Sequence, residues 1–219
     1  MQIIPSILVQ DEETFLTQYK AIEGSVSMIQ LDIADGVFVD NTTWADPKII
    51  AKEVACEVEL HLMVANPLEE LQKWEDVEQV TRVLIHYESV DDIQETLTQL
   101  TNSPWSLGVV LNPDTAPDVI DSVVDMIDVV MCMGVHPGKQ GQSFIPKTNE
   151  KIFTLKSTHP TLLVSVDGAV NMDTIENIAH AGADIVCPGS TIFKSGSPKE
   201  NIQKMNDVIH SLTDEAEIS

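Results

Sequence analysis

The sequence is poor in positive charge. Twelve Lys and Arg stand against 35 Asp and Glu, a formal net charge of −23 over 219 residues. Nucleic acids and anionic membranes both need a cationic surface, so the balance excludes non-specific binding to either. A small anionic ligand stays open, because backbone N–H groups can hold one locally. Cysteine is scarce as well, and Cys56, Cys132 and Cys187 lie far apart, in or beside apolar runs. That spacing excludes a disulfide framework and predicts buried free thiols. No apolar run reaches the roughly 20 residues of a membrane-spanning helix. The opening residues Met1-Gln2-Ile3-Ile4-Pro5 lack the basic region and long apolar stretch of a secretory leader. A cytoplasmic location is expected.

With 43% hydrophobic residues, the chain can bury one substantial core. One domain over 1–213 is expected, followed by a frayed acidic tail over 214–219. Short runs rich in Ile, Val and Leu fall at 3–8, 27–33, 56–63, 80–86, 105–111, 127–133, 162–166 and 183–187. Helical patterns separate them, including 11–23, 47–54, 91–101, 117–124, 147–157, 173–181 and 201–212, with Asn66-Pro67 capping another. Strands apolar on both faces and alternating with helices predict a parallel sheet covered by helices. An open doubly wound sheet would place its anion-binding glycines after the first strand, where Gln10-Asp11-Glu12 stands instead. The glycines come late, as in a barrel whose last loops bind phosphate. The fold class expected is an α/β (β/α)8 TIM barrel.

The central stretch is Met28-Ile29-Gln30-Leu31-Asp32-Ile33-Ala34-Asp35-Gly36. Asp32 lies in an apolar run, where a carboxylate is costly unless paired, hydrogen-bonded or metal-bound. Side chains alternate along a strand, so Gln30, Asp32 and Ala34 share a face. His61 and Asp167 repeat the pattern at two other strand ends, with Glu59 inward-facing two residues before His61. In a barrel such ends converge on one mouth, which His86 and His136 would also approach. Asp and His together can bind a divalent metal, and two carboxylates can exchange protons with carbon. Asp35-Gly36 reads better as a turn. Gly138 and Gly141, Gly168-Ala169, and Gly189-Ser190-Thr191 offer backbone N–H groups for a phosphate, with Lys139 as a cation. Met63 and Met133 could wall a reactive centre, while Met28 and Met131 read as core.

These stretches together resemble the ribulose-phosphate 3-epimerase family. The resemblance runs through Ile4-Pro5-Ser6-Ile7-Leu8, the Asp32–Gly36 stretch with Phe38, Val39 and Asn41, His61-Leu62-Met63-Val64 and His86-Tyr87-Glu88. It continues through Pro137-Gly138, Gly141-Gln142, Phe144-Ile145, Val166-Asp167-Gly168, Gly182-Ala183-Asp184 and Gly189-Ser190. It implies a (β/α)8 barrel that epimerises a phosphorylated ketopentose at C3. It also implies a divalent metal (Zn, Mn, Fe or Co) held by two histidines and two aspartates. By motif, Asp32 and Asp167 would be catalytic acid/base groups and metal ligands, and His61 a metal ligand. Ser6, His61 and Met63 would line the substrate site, and Gly138, Gly141, Gly168, Gly189 and Ser190 the phosphate. The family's first metal histidine falls on Gln30, whose amide oxygen is a neutral, weaker donor. Its roof methionine falls on Ala34, a loop glycine on Gln140, a second glycine on Ala169 and a threonine on Gly134.

The reading is C3 epimerisation of a ketose phosphate, D-ribulose 5-phosphate to D-xylulose 5-phosphate, through an enediolate. Two alternatives share these residues: another phosphosugar isomerase or lyase on the same barrel, and a non-catalytic phosphosugar-binding protein. A small phosphorylated sugar is the expected partner, with neither nucleic acid nor membrane, and a homo-oligomer is a candidate state.

Overall fold

The computed structural model of the chain describes residues 1–138 and 141–218, with side chains through residue 212. Nine strands form one curled sheet: β1 (Gln2–Ile3), β2 (Ser6–Ile7), β3 (Met28–Ala34), β4 (Glu57–Met63), β5 (Val80–His86), β6 (Ser106–Leu111), β7 (Val129–Met133), β8 (Leu163–Asp167) and β9 (Ile185–Cys187). Every pairing between neighbours is parallel. The helices are α1 (Glu12–Ile22), α2 (Pro47–Glu53), α3 (Pro67–Gln72), α4 (Ile93–Gln99), α5 (Lys147–Thr158), α6 (Ile175–His180), α7 (Ser190–Phe193) and α8 (Pro198–Ile218). The expected α/β (β/α)8 barrel is the observed architecture.

The expected first strand at 3–8 is two short strands, and this break joins the two edges of the sheet. β1 pairs with β9, and β2 pairs with β3. The N–H groups of Gln2, Ile4 and Ser6 donate to the carbonyls of Asp184, Val186 and Pro188. Pro5 has no N–H to give, and its carbonyl accepts from Gln30 on the other side. One short stretch of chain therefore bonds to both neighbours.

The core has two compartments. Between strands and helices lies a large apolar cluster that includes Phe15, Tyr19, Trp74 and the outward residues of each strand. Inside the barrel lies a smaller cluster of Ile4, Met28, Leu84, Val110, Val129, Met131, Met133, Ile185 and Cys187. All seven residues of β3 are buried, as a strand covered on both faces requires. Cys132 and Cys187 are buried free thiols, and Cys56 is a half-buried one.

Three local expectations need correction. The segment expected as a helix at 117–124 forms two 3₁₀ turns, Pro117–Ile120 and Val124–Met126. β-branched Val119, Ile120, Val123 and Val124 disfavour a longer helix, as do Asp121 and Asp125 near its C-terminal end. Asn66 precedes α3 without a side-chain cap and donates to Glu69 Oε2 instead. α8 spans Pro198–Ile218, beginning before the expected start at 201. Pro198 opens it at a first-turn position where proline is tolerated, and no Gly or Pro follows in it. No helix among the described residues is long and apolar enough to cross a membrane.

Candidate active site

Strand register assembles the site. Asp32 and His61 are direct partners across β3 and β4, and Gln30 and Glu59 are partners one inward position deeper. Asp167, the last residue of β8, lies between Met133 of β7 and Cys187 of β9. A barrel bends these strand ends toward one axis, so β3, β4 and β8 deliver their polar residues to the same place.

Asp32, His61 and Asp167 are all buried, and one ligand atom from each lies within 4.8 Å of the other two. His61 Nδ1 is 3.0 Å from Asp32 Oδ1 and 3.3 Å from Asp167 Oδ2. The Gln30 amide nitrogen donates to Asp32 Oδ1 at 2.8 Å and to Asp167 Oδ2 at 3.1 Å. The remaining carboxylate oxygens are also held. Asp32 Oδ2 accepts from the Ser6 hydroxyl at 2.7 Å, and Asp167 Oδ1 accepts from the Gly168 N–H at 2.7 Å. Behind His61, its Nε2 lies 2.9 Å from Nε2 of His86.

The electrostatics follow from burial and these contacts. Burial alone would push His61 down, but the hydrogen bonds and charges of Asp167 and Asp32 raise it to about 10. Burial pushes His86 down to about 4, against the pull of Glu88. Burial and the neighbouring negative charge of Asp32 raise Asp167. Two carboxylates this close need a positive charge between them, and His61 supplies one.

The donor set fits a divalent cation. Two carboxylates and an imidazole already point at one small, buried volume. Gln30 Oε1 is buried with no hydrogen-bond partner. The amide nitrogen of Gln30 faces the two carboxylates, so turning the amide end for end would offer this oxygen as a fourth donor suited to oxygen-binding metals.

A cavity of about 250 Å³ opens over the cluster at the C-terminal ends of the strands. Of the residues expected in the site, Asp32, Asp167, Ser6 and Met63 line it, as do Gly138, Gly141, Gly168, Gly189 and Ser190. His61 and Gln30 do not line it; both are fully buried beneath its floor. Met133 forms part of the wall, and Met28 and Met131 are inside the barrel core. His136 is not part of the cluster: its side chain is 60% exposed on the outer rim. Lys139 and Gln140 lie outside the described residues.

Leu8, Val135 and Asn171 are wall residues without an expected site role, whereas Thr191 belongs to the Gly189-Ser190-Thr191 turn expected at the phosphate. Leu8 and Val135 line the cavity yet read as ordinary core. Asn171 and Thr191 also line it, and their side chains serve neighbouring turns, Thr191 by donating to the Val170 carbonyl. Lys194 brings its ammonium to 3.9 Å from where a Cβ on Gly141 would stand. Only the position of Lys194 just after a glycine-rich strand end could have drawn notice to it.

Comparison with known proteins gives this geometry a lineage. The family model described as the ribulose-phosphate 3 epimerase family matches residues 2–193. Ribulose-phosphate 3-epimerase of Chlamydia pneumoniae is 34% identical, over 88% of each chain. The Schizosaccharomyces pombe protein of the same name is 30% identical, over 95% of this chain and 93% of its own. Among solved structures, 3-hexulose-6-phosphate synthase from Salmonella typhimurium superposes with a TM-score of 0.70 at 15% identity, covering 97% of this chain and all of the other. Orotidine 5′-phosphate decarboxylase from Pyrococcus horikoshii OT3 does so with a TM-score of 0.68 at 16% identity, over 95% of this chain and 99% of the other. Those two likenesses speak for the fold alone, whereas the family match spans the strands that carry Asp32, His61 and Asp167: this chain belongs to the ribulose-phosphate 3-epimerase family.

Proposed function

We propose that the chain epimerises a ketose phosphate at C3, converting D-ribulose 5-phosphate to D-xylulose 5-phosphate. The observation that carries this reading is the pair Asp32 and Asp167. They line one cavity from strands on different sides of the barrel and are bridged beneath by Gln30 and His61. Inversion at a carbon next to a carbonyl needs a base on one face and an acid on the other. One aspartate takes the C3 proton, and the other returns a proton from the opposite side.

Ser6 holds Asp32 Oδ2, and the Gly168 N–H holds Asp167 Oδ1, so each carboxylate is oriented before substrate arrives. Met63 and Met133 give the cavity an apolar wall, which excludes water and strengthens the local electrostatics. The turns at Gly138, Gly141, Gly168, Gly189 and Ser190 surround the far end, where backbone N–H groups and Lys194 suit the phosphate. Asp32, His61, Asp167 and the oxygen of Gln30 would hold a divalent metal, and its charge would stabilise the developing enediolate. Presenting Oε1 to the cation requires the Gln30 amide to exchange its two ends. A small phosphorylated sugar is thus the partner of the site.

The test is conversion of ribulose 5-phosphate after chelation and re-addition of zinc, manganese, iron(II) or cobalt in turn. Turnover restored by a metal is expected, with a loss of at least about 100-fold in Asp32→Asn and Asp167→Asn. No turnover with any metal would sink the reading, as would activity that survives both substitutions.

A further inference from the structure

We propose that Asn171, Thr174 and Thr191 are positioning residues for the phosphate end of the cavity. They hold the turn after β8 so that the Val170 N–H is aimed at the anion. The inference rests on the phosphosugar reading above and names the side chains that aim its anion site. The turn is strained. Gly168 and Ala169 both have left-handed backbone, with φ of 98° and 55°. Ala169 carries a Cβ there, which such a conformation disfavours. A residue stays in it only where its surroundings hold it.

Three side chains supply those contacts. The Ala169 carbonyl accepts from Asn171 Nδ2 and from the Thr174 hydroxyl, each at 3.0 Å. The Thr174 oxygen in turn accepts from the Asn171 N–H at 3.0 Å. Asn171 Oδ1 accepts from the N–H groups of Asp173 and Thr174, which fixes the Asn171 side chain. From α7, the Thr191 hydroxyl donates to the Val170 carbonyl at 2.7 Å. Thr191 belongs to the turn after β9, so this bond ties the two turns that face the phosphate into one piece.

These bonds set a direction. The C=O and N–H of a trans peptide point opposite ways. Asn171 and Thr174 draw the Ala169 carbonyl toward the start of α6. The N–H of the same peptide belongs to Val170, and it faces the other way, toward the cavity that Val170 lines. That N–H has no hydrogen-bond partner among the described residues. Free backbone N–H groups beside a cavity are donors for an anion. A hydrogen bond weakens steeply as its angle departs from linear, so a backbone donor is only as good as its aim. The three side chains fix that aim without touching the phosphate.

The experiment uses the full chain. Calorimetric titration with inorganic phosphate reads the anion site, and steady-state kinetics with ribulose 5-phosphate reads its use. Thr174→Val and Thr191→Val each remove a hydroxyl at nearly constant shape. Each is expected to weaken phosphate binding and to raise KM by about 10-fold, with kcat held within about twofold. Thr174→Ser keeps the hydroxyl and should restore phosphate affinity to near the wild-type value. A fall in kcat with phosphate affinity unchanged would overturn the inference, because it would mean a structural role remote from the anion. So would wild-type phosphate affinity in Thr191→Val, the variant that decides if Thr174→Val fails to fold. A wild-type chain that binds no phosphate would overturn it as well. If the wild-type chain binds phosphate but does not turn over ribulose 5-phosphate, the epimerase reading fails, and the phosphate affinities of the three variants still decide the positioning role.

Discussion

Asp32 and Asp35 sit three residues apart and serve unlike ends. Asp32 faces the cavity, whereas Asp35 closes the turn that leaves β3. Asp35 Oδ1 accepts from the N–H groups of Val37 and Phe38, and Oδ2 accepts from the N–H of Ala65 after β4. Burial pushes its carboxyl up, but these backbone donors outweigh burial and hold it below the usual 3.8. A folded value below the unfolded one means that the contribution is present above about pH 4 and is lost as pH falls through the folded value. The stability difference between wild type and Asp35→Asn, read by urea unfolding, is therefore expected to be largest near neutrality and to shrink below about pH 4. A difference that stays constant into acid would show that Asp35 acts through shape alone. Two family departures also resolve at this scale. Ala169 keeps a left-handed φ of 55°, so the glycine-like backbone survives with a methyl group added to the cavity wall. At Gly134 a Cβ would stand 2.3 Å from the Gly168 carbonyl oxygen and 2.7 Å from the Phe144 ring. The family's threonine has no room there, because Phe144 and the Gly168 turn fill the space.

At the scale of elements, β4 and β5 carry a charge pair beneath the site. Arg82 is the sole arginine of the sequence, and its Nε lies 2.5 Å from Glu59 Oε2. A register shift between Val58 and Glu59 pairs Arg82 with Glu59 and turns it inward, where it also reaches the Met28 sulfur at 2.9 Å. Burial pushes Glu59 up despite the pull of Arg82. Losing one partner of a buried pair leaves an uncompensated charge, whereas replacing both with apolar residues is often tolerated. Arg82→Leu should thus cost about 3–5 kcal/mol in denaturant unfolding. The double variant Glu59→Leu/Arg82→Leu should recover much of that loss. A double variant no more stable than Arg82→Leu alone would show that the pair is needed for packing beyond its charges. The roof over the cavity is rebuilt between elements too. Leu8 and Phe38 pack onto Ala34, Val39 and Met63, where the family places a methionine at 34.

For the whole molecule, the net charge of −23 exerts an influence that no single contact explains. Self-repulsion among surface carboxylates destabilises the compact state at low ionic strength. Salt shortens the reach of that repulsion from about 30 Å at 0.01 M to about 3 Å at 1 M. The melting temperature is therefore expected to rise with KCl across that range, as calorimetry would read it. A flat or falling melting temperature would mean that local pairs such as Lys156–Asp184 outweigh the net charge.

The sequence by itself determined the alternation of strand and helix, the parallel sheet, and the strand ends that carry Asp32, His61 and Asp167. Those follow from periodicity and from the cost of leaving a carboxylate alone in an apolar run, which are local properties. Only the tertiary structure decided how those ends meet. Pro5 divides the first strand so that one stretch bonds to both edges, a choice made by partners at Gln30 and Val186, far along the chain. Register places Gln30 under Asp167, 137 positions away, as well as under its neighbour Asp32, and sets His86 behind His61, 25 positions away. Local sequence could not assign His86 a partner, because that partner is a ring on another strand.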